Sequence, residues 1–364
     1  MLLIIIICCL LLSCYCENNN NNNNNDKSNN NDNLQVIVDD VLQNGEWILT
    51  KSRGYNYTIQ DFDYSHHKWN TKKIYAWTNG TCSFSQSNYG QFYKWHSSSP
   101  YALNTDFSDP ITYKKTIYKQ LQGKQLLIVG DSISNEFHIT LLHMLWDEDD
   151  SKSLPMYAID WLLHDKVVNM TYENYTFSLT YVRSFYLHPS PLLNKSIHHN
   201  ETLDTSNDFG WTQFLTPNTI LVVNKGAHFV AEDDYCKTLK ITFDAILAQH
   251  HQLISNKSLL VVFRDTHFAL HDYALNFNRA PLKYFNYTEH YTANELEYGW
   301  DRFDGENHLA RRLISDEYPW VTYMNVSGST KLRLDSRHDY MHYCIPGPID
   351  HWVQKLIETI NIIS

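Results

Sequence analysis

Residues 126–135 read LLIVGDSISN. The first four are a short apolar run, which is typical of a parallel strand buried on both faces of a sheet. The run stops at Gly130, and a helical pattern follows over residues 134–146. Ser132 is therefore predicted on a strand-to-helix turn, with its hydroxyl at the edge of the sheet. The free backbone N–H groups at a helix N-terminus would favour an oxyanion developing there.

The Gly-Asp-Ser tripeptide alone is a weak signal. From average composition, roughly one chain in ten of this length contains it by chance. A serine in this place can also simply cap a helix. The strand–turn–helix context is what favours the interpretation of Ser132 as a nucleophile.

Other apolar runs repeat the pattern of residues 126–129. They occupy residues 220–223 and 259–263, with weaker candidates at 177–182 and 321–326. Helical patterns lie at 134–146, 233–254, 294–313 and 349–362. Strand–helix alternation predicts a three-layer α/β domain with a central parallel sheet and a site at the carboxyl ends of its strands. Residues 34–120 are rich in aromatic and polar residues and predict irregular structure with short strands.

A serine nucleophile needs a base, and two candidate pairs lie near the C-terminus. Asp339 and His342 are three residues apart, so both can face the same side of a helical turn or tight loop. The carboxylate would hold the imidazole while the other ring nitrogen takes the serine proton. Asp335 and His338 have the same spacing, and spacing does not separate the two pairs.

Residues 222–228, VVNKGAH, also follow a buried run and should reach the same sheet edge. The Asn224 side chain and the Gly226 backbone N–H, with the N–H of Ser132, are candidate oxyanion donors. A simple turn is an equally good interpretation of Asn and Gly here. Four further polar residues near this edge are candidates for substrate contact: Asp131, Asn135, Arg264 and His267.

Composition excludes some functions and limits others. The chain has 364 residues with 29 basic and 40 acidic side chains, a net charge of −11, which argues against a nucleic-acid partner. No cofactor is predicted. No metal is predicted either, because no histidine pair with ligand spacing lies on a convincing helix. Outside the leader the chain has Cys82, Cys236 and Cys344, which allow at most one internal disulfide.

The N-terminus predicts export. Residues 1–16 contain an apolar run too short to span a bilayer comfortably, typical of a signal peptide; an uncleaved anchor is the alternative. Residues 17–33 are nearly all Asn and predict a disordered linker before one domain, 34–364, with an α/β core at 121–364. Nine Asn-x-Ser/Thr sites favour a secreted or Golgi-lumenal glycoprotein, although an Asn-rich chain also produces such sites by chance. They are Asn56, Asn79, Asn169, Asn174, Asn194, Asn200, Asn256, Asn286 and Asn325.

Two longer motifs carry a resemblance to a known family. Residues 121–132, LQGKQLLIVGDS, resemble the pattern lrGKrlmfVGDS, and residues 339–352, DYMHYCIPGPIDHW, resemble DCxHWCLPGxPDxW. NKG at 224–226 resembles the start of NTGHW, and FRDTHF at 263–268 resembles FRTxSPxHF. Over about residues 45–352 the chain resembles the PC-esterase branch of the SGNH hydrolases, and within it the trichome-birefringence-like proteins.

This resemblance implies an SGNH-like sandwich that transfers or hydrolyses O-acyl groups, mainly acetyl, on glycan hydroxyls through an acyl-serine. It implies a glycan acceptor and an acetyl donor as partners, and it selects Asp339 and His342 over the rival pair. Asn135 stands where the family has Arg, and Tyr340 where it has Cys. A glycan-binding protein without turnover, and a lipid or small-ester hydrolase with the same triad, are the alternative hypotheses.

Overall fold

The computed structural model describes residues 29–49, 61–63, 68–70, 93–145 without 104 and 108, 167–187 without 186, 210–227, 232–271, 280–283, 296, 299–335, 337, 339–343 and 347–364. The strands in this part of the chain are β1 (Gly45–Leu49), β2 (Asp61–Asp63), β3 (Lys68–Asn70), β4 (Tyr93–Ser97), β5 (Gln125–Gly130), β6 (Val167–Tyr172), β7 (Tyr175–Arg183), β8 (Thr219–Val223), β9 (Leu259–Arg264) and β10 (Val321–Met324).

The central sheet has six strands in the order β10-β9-β8-β5-β7-β6. All neighbours are parallel except β6, which forms an antiparallel hairpin with β7. The predicted central parallel sheet is confirmed, with β6 as the antiparallel edge strand. Two small antiparallel pairs, β1 with β4 and β2 with β3, lie outside this sheet.

The side chains of residues 126–129 in β5 point alternately to the two faces of the sheet, which explains why this run is apolar. Leu126 and Ile128 join one hydrophobic core, whereas Leu127 and Val129 join the core on the other face. A strand covered on both faces has no side exposed to water, so every position favours an apolar residue.

The helices of the described residues form the outer layers. They are α1 (Asn29–Gln43), α2 (Pro110–Leu121), α3 (Ser132–Leu145), α4 (Glu232–Ser255), α5 (Phe303–Glu317), the short α6 (Ser327–Thr330) and α7 (Asp350–Ile363). Buried residues of α1, α2, α3 and α7 share one core, and those of α4 and α5 share the other. The predicted three-layer α/β architecture is confirmed.

The helix expected over residues 294–313 is interrupted, although Leu296 within it is helical. Gly299 adopts a left-handed backbone with φ 70°, a 3₁₀ turn (Trp300–Arg302) follows, and α5 starts at Phe303. A left-handed residue cannot continue an α-helix, so the prediction of one unbroken helix is wrong at Gly299.

The N-terminal region contains more helix than its composition suggests. Helix α1 begins at Asn29, so residues 29–33 are helical although they belong to the stretch predicted as a disordered linker. Val38, Val41 and Leu42 of this helix are fully buried in the core that includes α7. Packing against a distant part of the chain stabilises α1, which composition alone cannot show. Residues 1–28 lie outside the described residues.

Helix α2 lies almost entirely within residues 34–120, which were predicted to be irregular. Its start has a recognisable signal: the Asp109 side chain accepts a hydrogen bond of 3.2 Å from the Thr112 N–H, and Pro110 occupies the first turn. Its apolar face packs on β7, and the loop after it delivers the chain to β5. Together with α3, this helix covers β7, the neighbour of the strand that ends at the candidate site.

Candidate active site

The turn between β5 and α3 is built around Asp131. Its Oδ1 accepts hydrogen bonds from the Ile133 N–H at 3.0 Å and the Ser134 N–H at 3.3 Å, which caps α3. Its carbonyl accepts the Tyr181 hydroxyl at 2.8 Å. Asp131 is 2 % exposed, so the carboxylate that was expected to contact substrate instead shapes the turn. Ser132, the next residue, remains half-exposed.

Close packing under this turn requires glycine at its start. A methyl group at Gly130 would overlap the Ser134 hydroxyl, to which the Arg264 Nη2 donates a hydrogen bond of 3.0 Å. Gly130 therefore lets the first turn of α3 pack against the end of β5, where Ser134 meets Arg264 from the end of β9. This contact holds Ser132 at the carboxyl edge of the sheet.

Ser132, His342 and Asp339 form a continuous hydrogen-bonded chain. The Ser132 Oγ lies 2.9 Å from the His342 Nε2, and the His342 Nδ1 lies 2.8 Å from the Asp339 Oδ2. The other carboxylate oxygen of Asp339 accepts the backbone N–H groups of Met341 and His342, each at 2.7 Å. The structure thus brings together the three residues predicted to act as nucleophile, base and orienter.

The rival pair has another arrangement. Asp335 is fully buried and makes a two-pronged ion pair with Arg333, with N–O distances of 2.6 and 2.7 Å. A guanidinium in this two-pronged geometry is a strong, buried partner of the Asp335 carboxylate. His338 lies outside the described residues.

Three carboxylates surround the His342 imidazole. Burial lowers the pKa of His342, but the negative charges of Glu136, Asp339 and Asp131 outweigh it and raise that pKa to about 9. Glu136 is 7 % exposed, and its Oε2 accepts the Tyr343 N–H at 3.3 Å. Sequence reasoning missed Glu136, although it lies four residues after Ser132 and therefore on the same face of α3.

The Arg337 guanidinium acts as a clamp that holds the loop carrying Asp339 and His342 against the body of the protein. The Arg337 Nη1 donates to the Tyr340 carbonyl at 2.9 Å, and its Nη2 donates to the Phe268 carbonyl at 2.8 Å and the Tyr343 hydroxyl at 2.5 Å. Tyr340 also accepts the Leu270 N–H at 2.8 Å. Arg337 is a second functional residue that the sequence motifs did not reveal.

His267 and Arg264 support the site and do not face solvent. His267 is fully buried, and its Nε2 lies 2.6 Å from the Met341 carbonyl, which can only accept, so Nε2 carries the proton. Burial lowers the pKa of His267 well below its usual value, so the ring is neutral. Arg264, 1 % exposed, lies with its guanidinium 4.8 Å from the Trp352 ring centre. The substrate contacts expected of these two side chains are corrected to structural ones.

Asn224 joins the ends of β8 and β9. Its Nδ2 donates to the Arg264 carbonyl at 2.9 Å and to the Thr266 Oγ1 at 3.0 Å, which uses both amide hydrogens. A methyl group at Gly226 would overlap the same threonine hydroxyl. In this conformation the Asn224 amide is therefore not directed at an oxyanion. The Ser132 N–H makes no hydrogen bond to any residue that the structure describes.

Asn135 lies one turn after Ser132 and is 6 % exposed. Its backbone N–H donates to the Asp131 carbonyl at 3.0 Å, as expected in the first turn of a helix. The Asn135 side chain is shorter than the Arg of the family pattern and carries no charge. Around this first turn of α3, the charges that act on the pKa of His342 are therefore those of Asp131 and Glu136.

A comparison with known families agrees with this geometry. Residues 113–281 match the PC-Esterase family, described as a GDSL/SGNH-like acyl-esterase family found in Pmr5 and Cas1p. The chain carries a PC-esterase domain. The matched residues include Ser132 and the ends of β8 and β9. This domain match supports acyl-esterase or acyltransferase activity in general. No similar protein was found among curated proteins.

The described residues were also considered as a metal site and as membrane-spanning helices. No group of three His, Cys, Asp or Glu side chains among these residues could hold a metal ion. None of the described helices is both long and apolar enough to cross a bilayer. Cys236 is buried in α4, and Cys82 and Cys344 lie outside the described residues.

Proposed function

We propose that this PC-esterase transfers or hydrolyses O-acyl groups, most simply O-acetyl groups, on glycan hydroxyls through an acyl-serine intermediate. One observation carries the proposal: the 2.9 Å and 2.8 Å contacts that link Ser132 through His342 to Asp339. A hydroxyl, an imidazole and a carboxylate in this order can activate the serine for attack on an ester.

The proposed reaction has two halves. The Ser132 Oγ attacks the ester carbonyl carbon while the His342 Nε2 takes the hydroxyl proton, and the resulting tetrahedral oxyanion expels the alcohol, which receives that proton. Water or a sugar hydroxyl then attacks the acyl-serine, again giving its proton to His342. Collapse releases the acid or the new ester and returns the proton to Ser132.

The N-terminus of α3 supplies the electrostatic support. The Ser132 N–H points to no described partner and sits at the positive end of the helix, so it is available to an oxyanion. The Ile133 and Ser134 N–H groups are already used by the Asp131 cap. We infer that Asn224 supports the strand ends and does not donate directly.

The test is intact-mass measurement after incubation with an activated acetyl ester, with peptide mapping of the product. The parent protein should gain one acetyl group on Ser132, and Ser132→Ala should gain none. Ser315→Ala, which alters an exposed serine on α5, is the matched control and should react like the parent.

Two outcomes would redirect the proposal. A folded sample with neither adduct nor ester turnover would favour a glycan-binding protein without chemistry. An adduct that forms equally in Ser132→Ala would place the nucleophile elsewhere. Once the adduct is established, acceptor sugars added to the acetylated protein separate transfer from hydrolysis, because only the attacking hydroxyl differs.

We further propose a lumenal location in the secretory pathway, secreted or in the Golgi. Its support is the leader-like N-terminus and the exposure of Asn169, Asn174 and Asn256, three glycosylation sites within the described residues. Asn325 differs, because it is only half-exposed and lies between β10 and α6. Mass mapping after enzymatic deglycosylation should find glycans on the first three and none on Asn325. Unmodified protein from a secreting eukaryotic host would contradict the location.

A further inference from the structure

Three aromatic rings lie side by side, and one of them belongs to the loop that carries Asp339 and His342. Tyr340 follows Asp339 directly, and its ring is parallel to that of His271, with an interplanar angle of 2° and ring centres 5.7 Å apart. The Trp300 ring lies 5.9 Å from Tyr340 at 43°. These residues come from three separate segments of the chain, and together they form what is called here the aromatic ledge.

Tyr340 is held outward by its own backbone. Its carbonyl accepts hydrogen bonds from Leu270 and Arg337, which fixes the main chain against the body of the protein. Tyr340 remains 39 % exposed, whereas Tyr343 on the same loop is 1 % exposed. A large ring kept in water on the loop that carries the triad base costs apolar burial without adding to the core, which points to contact with a ligand.

We propose that the aromatic ledge binds a sugar ring of the glycan and positions its acylated or acceptor hydroxyl at Ser132. This inference rests on the proposed function and specifies the substrate contact within it. The C–H face of a sugar is apolar and packs on an aromatic face, while its hydroxyls need hydrogen-bonding groups around it.

The chemistry of the ledge favours a sugar over an acyl chain. Each of its three rings has a polar group at the edge: a phenol hydroxyl, an imidazole nitrogen and an indole N–H. Asp301 and Arg302 follow Trp300 directly and add charged groups beside it. A surface for a long acyl chain would instead be lined by aliphatic side chains.

Calorimetry in the Ser132→Ala background tests binding without turnover. The probes are acetylated tetrasaccharides of xylose, glucose and mannose. At least one should bind, and Tyr340→Ala should weaken its Kd about tenfold through the loss of the stacking face. Tyr340→Phe keeps the ring and should stay close to the parent. Tyr101→Ala, an exposed tyrosine in the turn after β4, is the matched control and should bind like the parent.

The ledge and the proposed function fail in different ways. If Ser132 becomes acetylated but none of the tetrasaccharides binds, or if Tyr340→Ala binds as the parent does, the ledge proposal is wrong and the acyl-serine stands. If Tyr340→Ala instead selectively impairs turnover of a decanoyl ester relative to an acetyl ester, the ledge binds acyl chains and the sugar assignment is overturned. Near-ultraviolet circular dichroism confirms that each variant is folded.

Discussion

The nucleophile and its base are held in place by two different kinds of structure. Ser132 sits where β5 meets α3, and local backbone geometry with the Asp131 cap fixes it. Residues 337 and 339–343 have little regular secondary structure, and side chains fix them. Arg337 acts from within the loop, and His267 from 74 positions before Met341 in the chain. The first arrangement is local and the second depends on tertiary contacts.

This difference indicates where the site can be damaged without unfolding the protein. A strand-to-helix turn changes only if the sheet or helix changes. A clamped loop loses its geometry when one clamp is removed, while both hydrophobic cores remain intact. Catalytic reactions are sensitive to such losses, since a displacement of about 1 Å can cost on the order of 10²-fold in rate.

The largest effect should come from the base itself. We expect His342→Ala to lower kcat for an activated acetyl ester on the order of 10⁴-fold or more, because no other described side chain can take the Ser132 proton. His338→Ala is the matched control, because that histidine belongs to the pair whose carboxylate is held by Arg333. A larger loss in His338→Ala would reverse the assignment.

A smaller loss should follow from loosening the clamp. Arg337→Lys keeps the positive charge but cannot hold the Tyr340 carbonyl, the Phe268 carbonyl and the Tyr343 hydroxyl together. We expect kcat to fall about 10²-fold with little change in KM, and the Ser132 acetyl adduct still to form, only more slowly. Arg312→Lys, an exposed arginine on α5, provides the comparison. An adduct that forms at the parent rate in Arg337→Lys would show that the loop is positioned without the clamp.

The same contrast explains what sequence could and could not predict. The strands of the sheet were predictable because burial on both faces leaves a continuous apolar run, and Ser132 followed from the end of one such run. Asp339 and His342 needed the family resemblance, because spacing alone left Asp335 and His338 equal. The burial of His267 and the clamp by Arg337 depend on contacts between distant segments, which no local pattern encodes. Helix α1 escaped prediction for the same reason.

The pH dependence of activity tests how a charge on α3, that of Glu136, affects the pKa of His342 in the loop. The base must be neutral to accept a proton, and with a pKa of about 9 it is mostly protonated at pH 7. Activity of the parent should therefore rise with pH up to about 9. Glu136→Gln removes the largest pKa-raising charge yet can still accept the Tyr343 N–H. Its activity should rise at lower pH, giving about tenfold more turnover than the parent at pH 7.

The matched control for this pH experiment is Glu317→Gln, which removes an exposed acid on α5. Its pH–rate profile should coincide with that of the parent. A Glu136→Gln profile with an unchanged midpoint would show that Glu136 does not set the pKa of His342. A profile shifted to higher pH would contradict the sign of the charge effect.

The smallest effect on catalysis should come from Asn224, which joins the strand ends behind Ser132. Asn224→Ala removes two hydrogen bonds, so we expect the free energy of unfolding to fall by about 1–3 kcal/mol. Because its amide hydrogens already bond to Arg264 and Thr266, kcat per folded molecule should change less than tenfold. Chemical denaturation and steady-state kinetics on the same samples measure both quantities.

A double-mutant cycle with Thr266→Val separates the two roles of Asn224. If the amide acts structurally, the losses of stability should not add, because both variants remove the same 3.0 Å hydrogen bond. If Asn224 donates to the oxyanion, its removal should cost on the order of 10²-fold in kcat whether or not Thr266 is present. That second result would mean that the Asn224 amide turns towards Ser132 when substrate binds, so the strand ends would share with the α3 N-terminus the task of stabilising the transition state.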